Sequence, residues 1–150
     1  MTSLDREDLL SSLLERVELK EFLVFELFAK RNEEFEGAPA NETVEIKPNY
    51  TLKTGILKNL SGIIIRLTVE FEIPMGRVLC DIGATYSSKT PIEFTPENLV
   101  LVDFANEVAV MMLVPFLRQN IADLSQRTFG VPLLMPVVRK GMLQFLVDKN

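Results

Sequence analysis

The chain has 150 residues, 47% hydrophobic and 25% charged, with 21 acids against 16 bases and a net charge of −5. That length allows one domain with a real core, in which folding buries roughly two-thirds of the extended surface. The charge excludes a nucleic-acid binder, which needs a basic face to displace phosphate counterions, and disfavours anionic membrane surfaces for the same reason.

The start, MTSLDREDLL, has acids where a signal peptide needs bases and an apolar run, so neither secretion nor anchoring is expected. Ser3 is the predicted N-cap of a helix over residues 4–16. Asp5, Glu7 and Asp8 sit at its positive end, and Leu9, Leu10, Leu13, Leu14 and Val17 recur at helical spacing. From Val17 to Lys30 the period shortens to a strand, with Val17, Leu19, Leu23, Phe25, Leu27 and Ala29 on one face. Phe22, Val24 and Phe28 share the other with Glu18, Lys20 and Glu26. A strand apolar on both faces is buried on both or meets a second chain. Asn32–Asn41, with Gly37 and Pro39, reads as a polar loop.

Val44–Leu57 is a second strand region in which Val44, Ile46, Tyr50, Leu52 and Ile56 alternate; Pro48 lacks a ladder donor and marks it as interrupted or at an edge. A turn at Asn59–Gly62 leads to Ile63–Ile73, whose odd positions are apolar while Arg66, Thr68, Glu70 and Glu72 point the other way. After Pro74–Gly76, Arg77–Ser87 sets Val78, Cys80, Ile82, Ala84 and Tyr86 against Leu79, Asp81, Gly83 and Thr85. Short connections predict an antiparallel meander.

Thr95–Asn98 opens a helix with a threonine cap and proline at the first helical position, and Asp103 is a second candidate cap. Pro115 should kink this helix; Ile121 and Leu124 continue its stripe, and Gly130 is a natural left-handed stop. Val131–Val138 is apolar but interrupted by prolines, hence extended, and a last short helix covers about Gly141–Val147. The expected fold is α+β: a four-stranded antiparallel sheet covered by a long Pro-kinked helix and a short C-terminal helix, plus the N-terminal amphipathic helix.

Chemistry is hard to place on this chain. With no histidine, Ser-His-Asp and Cys-His catalysis and the usual zinc sites fall away together. Cys80, the single cysteine, belongs on a buried strand face as an inert thiol, and one cysteine forms no internal disulfide, which suits a reducing cytoplasm. No phosphate loop, dinucleotide fingerprint or calcium loop occurs. The pairs Glu33 with Glu34 and Glu70 with Glu72 read as solvated carboxylates rather than a glycosidase pair. The expectation is a protein that is not an enzyme and uses no cofactor or metal.

Several strings, in order, resemble SecB, the protein-export chaperone, and its SecB-like relatives. Leu113-Val-Pro-Phe-Leu-Arg-Gln119 is similar to the first long helix of that family. Leu133-Leu-Met-Pro136 resembles the linker that follows, Met142-Leu-Gln-Phe145 the last helix, and Val78-Leu-Cys-Asp-Ile82 the fourth strand. The resemblance implies a homotetramer, a dimer of dimers packed through the long helices, holding unfolded or precursor polypeptides without ATP. It also implies contact of Leu79 and Asp81, with Glu26, Glu70 and Glu72 nearby, to the motor SecA. Two departures stand out: Phe22 occupies the place of that patch's aspartate, and there is no extended C-terminal tail. Both point to the alternative, a chaperone of a toxin–antitoxin system or an adaptor for one dedicated partner.

The residues alone lead to a compatible expectation, because one sheet and a helical cover do not consume all the apolar surface. The surplus is assigned to self-association, as dimer or tetramer, and to a polypeptide-binding groove. The expected groove comprises Phe22, Val24, Phe28, Tyr50, Leu52, Phe129, Val131, Leu133, Leu134 and Met135, and the expected oligomer interface Val108, Met111, Met112, Phe116 and Leu117. Flexible methionines, Met111, Met112, Met135 and Met142, suit such adaptable surfaces.

Overall fold

A computed structural model describes residues 3–35, 46–91 and 99–135, with side chains described for 7–35, 46–91 and 100–135. Helix α1 (Ser3–Arg16) runs directly into strand β1 (Val17–Arg31); β2 (Asn49–Ile56), β3 (Gly62–Ile73) and β4 (Gly76–Ser88) follow. The helical layer is α2 (Leu99–Phe104), a π-helical turn (Ala105–Ala109) and α3 (Val110–Phe129), continuous with one another. The predicted cap at Thr95–Asn98 and the helix at Gly141–Val147 lie outside the described residues.

The four strands form one antiparallel sheet in the order β1-β4-β3-β2. The meander expectation therefore holds for β2-β3-β4, whose connections are short, while β1 crosses over to pair with β4. The second strand is also shorter than its alternation suggested. It starts after Pro48, whose ring cannot donate to the ladder, and Ile46 turns into the core from outside the sheet.

Two register shifts in β1, between Leu19 and Glu21 and between Val24 and Glu26, revise the assignment of its faces. Each inserts an unpaired residue and flips everything beyond it. Across the sheet, the helix-side rows become Leu19–Tyr86–Ile63–Ile56, Phe22–Ala84–Ile65–Thr54, Val24–Ile82–Leu67–Leu52 and Leu27–Cys80–Val69–Tyr50. The opposite face carries Leu23–Gly83–Arg66–Lys53, Glu26–Asp81–Thr68–Thr51 and Phe28–Leu79–Glu70–Asn49. Phe22 and Val24 thus exchange faces with Leu23 and Phe25.

The core fills the space between the helix-side rows and the helical layer, which contributes Leu101, Phe104, Ala109, Leu113, Leu117 and Ile121, all buried. Phe104 meets the Tyr86 ring edge to face at 4.9 Å. The helix over Val100–Phe129 is long and apolar enough to cross a membrane, and here its buried stripe fills one sheet face.

One helix expectation is revised. Asp103 is no cap, since it lies inside α2 (Leu99–Phe104), which runs on without a break into the π turn. Pro115 lies inside α3, which continues past it, and a departure from α geometry comes earlier, where the Val110 N–H donates to the Ala105 carbonyl, five residues back. Gly130 closes α3 in the left-handed conformation (φ 81°), its N–H donating to the Gln126 carbonyl, as the sequence predicted.

Candidate functional site

Strand β1 is long and lies at the sheet edge, and it buries none of its fifteen residues fully. Phe22, Val24, Phe25, Leu27 and Phe28 are all exposed, Val24 by 47%. Helix α3 packs over β4 and β1, yet these β1 side chains stay exposed. Phe116 of α3 stacks on Phe22 with ring centroids 5.0 Å apart and a 25° interplanar angle. A strip of apolar side chains therefore continues from the helix onto an open strand edge. Sequence reasoning assigned Phe22, Val24 and Phe28 to a groove but left out Phe25 and Leu27. The signal was available in the unbroken apolar run Phe22–Phe25.

The other expected groove residues do not gather here. Tyr50 and Leu52, half-buried, lie on β2 at the opposite edge, three strand spacings or about 14 Å from β1. Phe28 projects from the face away from the helices. The segment after α3 alternates: Leu133 and Met135 are buried in the core, a correction to their groove assignment, while Val131 and Leu134 are exposed, Leu134 by 74%. Phe129 is half-buried against the core. Ser125, fully buried, fixes this alternation by accepting the Leu133 N–H at 2.7 Å while donating to the Ile121 carbonyl at 2.7 Å.

Of the expected oligomer-interface residues, Leu117 belongs to the core, because the stripe that covers the sheet includes it. Val108, Met111 and Phe116 are half-buried and Met112 is exposed. The Tyr86 hydroxyl donates to the Met112 sulfur at 3.3 Å.

On the open sheet face the expected motor-binding patch takes a different form. Asp81 is buried and bound by Arg66 through both carboxylate oxygens, with Thr68 donating a third hydrogen bond at 3.2 Å. The hydrogen bonds from Arg66, then its charge, the Thr68 hydroxyl and the Lys53 charge hold the Asp81 carboxyl below its ordinary range, against the opposing effect of burial. Phe25 lies over the Arg66 guanidinium at 4.0 Å, and the missing side chain of Gly83 makes room for it: a Cβ there would come within 2.9 Å of the ring. Glu70 is approached by Arg77 at 3.4 Å, Glu72 is exposed, Glu26 stands opposite Asp81, and Leu79 is half-buried. The acids are thus interleaved with bases rather than grouped around an exposed leucine.

Burial pushes the Cys80 thiol up to about 12, with the Asp81 charge adding to it, so the sulfur stays protonated at neutral pH. A cleft of about 460 Å³ beside the β3–β4 turn is lined by Lys30, Arg31 and Arg77 together with Glu33, Glu34 and Glu72.

A comparison with protein-family models gives no match, and neither does one with curated proteins. Among solved structures, the Mycobacterium tuberculosis SecB-like chaperone Rv1957, in complex with a ChAD peptide from the Rv1956 HigA1 antitoxin, superposes with a TM-score of 0.71. The match covers 91% of this chain and 97% of that one at 16% identity. A Streptococcus agalactiae protein of unknown function gives 0.42 at 12% identity, over 81% of this chain and 97% of the other. The first likeness establishes the fold: an α+β, SecB-like architecture of four antiparallel strands under a helical layer.

Proposed function

We propose that the chain is an ATP-independent chaperone that holds apolar segments of incompletely folded polypeptides in an extended state. The observation that carries this reading is the edge strand β1, which leaves Phe22, Val24, Phe25, Leu27 and Phe28 exposed on both of its faces. A soluble monomer rarely leaves such a contiguous apolar strip uncovered, and an extended chain can use both the strip and the adjoining edge. Val131 and Leu134 add apolar surface beyond α3. Affinity would come from apolar burial at roughly 25 cal/mol per Å², less the cost of ordering the client, so it would be spread over many weak contacts. Self-association into a dimer or tetramer draws on the same surplus surface, and the cytoplasm is the compartment that suits a single reduced cysteine.

Between the two partner classes, the structure of the open sheet face favours a dedicated partner, such as an antitoxin segment, over delivery to an export motor. Asp81 is occupied by Arg66 and Glu70 is approached by Arg77, so a basic docking surface would find few free acids. The fold neighbour, solved with an antitoxin peptide, supports the same choice.

The test is suppression of aggregation of a denatured client at stoichiometric ratio without nucleotide. Leu134→Asp and Leu27→Asp should each weaken it several-fold while leaving the circular dichroism spectrum unchanged. Full suppression by both variants would remove the proposed surface. Light scattering should give a mass near two or four times 17.0 kDa; a strict monomer would refute the self-association part.

A further inference from the structure

From Ile46 to Val69 this acidic chain contains Lys47, Lys53, Lys58 and Arg66 and no aspartate or glutamate. The fold turns that stretch into the second sheet edge, β2, and its flanks. Arg66 is engaged by Asp81, whereas Lys47, Lys53 and Lys58 are exposed and form no salt bridge among the described residues. Among the described residues β2 pairs only with β3, so alternate residues between Asn49 and Ile56 direct backbone N–H and C=O groups away from the sheet.

We infer that the open edge of β2 takes up, by strand addition, an extended polypeptide segment in which acidic and apolar residues alternate. The pleat dictates this pattern. A strand added beside β2 would place every second side chain on the helix side, next to the half-buried Tyr50 and Leu52. The intervening side chains would fall on the open face, next to Lys53. Apolar residues suit the first row and carboxylates the second. Lys47 and Lys58, at the two ends of the strand, extend the attraction along its length. A mid-strand lysine ordinarily guards an edge against indiscriminate pairing, and here it leaves acidic strands as the admissible class.

A second copy of β2 fits poorly. Antiparallel self-pairing centred on the strand would bring Lys53 towards its counterpart and Lys47 towards Lys58, setting like charges opposite one another. This inference deepens the chaperone reading and rests on it: it assigns the second edge and the chemistry of the segment that edge selects.

The experiment uses the full chain and fluorescein-labelled ten-residue peptides alternating glutamate with valine or lysine with valine, and a glutamate–valine peptide with its residues grouped instead of alternating. Anisotropy should show the alternating acidic peptide binding about tenfold tighter than either other, the size expected of two or three cross-strand charge pairs. Added salt should erode that preference. Lys53→Glu should reverse it and Lys53→Gln should abolish it. Amide exchange should slow at alternate residues of Asn49–Ile56 when the peptide binds.

Equal binding of the three peptides, an unchanged preference in Lys53→Glu, or protection falling on β1 would overturn the assignment. So would dissociation of an oligomer by the peptide, since that would mean a second copy occupies the edge. Loss of the acidic preference with aggregation suppression intact defeats this inference alone; absence of suppression in the unmodified protein defeats the chaperone reading.

Discussion

Arg66 on β3 holds Asp81 on β4 through both carboxylate oxygens, Nε to Oδ1 at 2.8 Å and a terminal guanidinium nitrogen to Oδ2 at 2.5 Å. The two residues are diagonal neighbours, since Asp81 is directly opposite Thr68 and Arg66 opposite Gly83. That offset lets the planar fork reach along the strand, and it leaves Gly83 as the niche for the Phe25 ring that covers the guanidinium. One ion pair thus fixes the side chains of β1, β3 and β4 on the open face.

Replacing Arg66 by methionine should destabilise the protein at pH 7 by about 2–3 kcal/mol, because a buried carboxylate then keeps only the Thr68 hydroxyl. The pH dependence has a definite sign. In the native protein the Asp81 carboxyl lies below its unfolded value near 4, so its contribution is present above pH 4 and is lost as pH falls through the lowered value. In the variant that contribution is gone and the carboxyl can relax by protonating, so the stability gap should narrow in acid. Urea melts at neutral and acidic pH check this; a constant gap would mean that the ion pair contributes little.

Cys80 gives the opposite dependence. Its thiol is raised to about 12 when folded, whereas an unfolded cysteine ionises near 8.5. Above that value the unfolded state loses a proton that the native state keeps, so stability should fall with rising pH, by at most about 1.4 kcal/mol per unit. Tyr86 is also raised to about 12, but it starts from 10, so the window between about 8.5 and 10 isolates the thiol. Cys80→Ala should flatten the slope there even if it lowers stability overall. A thiol reagent should modify the native protein slowly and the unfolded chain rapidly.

The pattern of what could be read in the sequence has a physical origin. Strands β3 and β4 were predicted to within a residue at each end, because one face of each is uniformly apolar and the Pro74–Gly76 turn fixes their pairing. β1 was placed correctly as an element, yet its faces were misassigned between its two bulges, from Lys20 to Phe25. An extra residue at a bulge changes no composition, and the alternation that would reveal it is blurred where both faces are apolar. The crossover of β1 to β4 was equally hidden, since the long connection to β2 carries no pairing information.

The site was legible as a surplus and illegible as a shape. The apolar excess in Phe22–Phe28 is evident from composition, and the structure leaves it exposed. Which of Val131 to Met135 turn inward, however, depends on a hydrogen bond from the Leu133 N–H to Ser125, and whether Asp81 is free depends on an arginine one strand away. Sequence periodicity reports on neither. The π turn at Ala105–Ala109 escaped for a similar reason, because one inserted residue in a helix that is apolar on several sides leaves the stripe intact.

Ser125 offers the most direct test of how the exposed segment after α3 is held. Its hydroxyl is fully buried and donates to the Ile121 carbonyl while accepting the N–H of Leu133. In Ser125→Ala that N–H loses its acceptor inside the protein, a penalty of about 1–3 kcal/mol, whereas in Ser125→Cys a weaker acceptor of similar size remains. The alanine variant should therefore melt earlier than the cysteine one, and the Leu133 amide should exchange much faster while those in β3 and β4 keep their protection. Because Leu133 and Met135 then lose their anchored places in the core, Leu134 should no longer be presented in one fixed orientation. Aggregation suppression should fall in step with the Leu133 amide protection. Suppression that stays intact after that protection is lost would show that clients do not need this segment to be ordered beforehand.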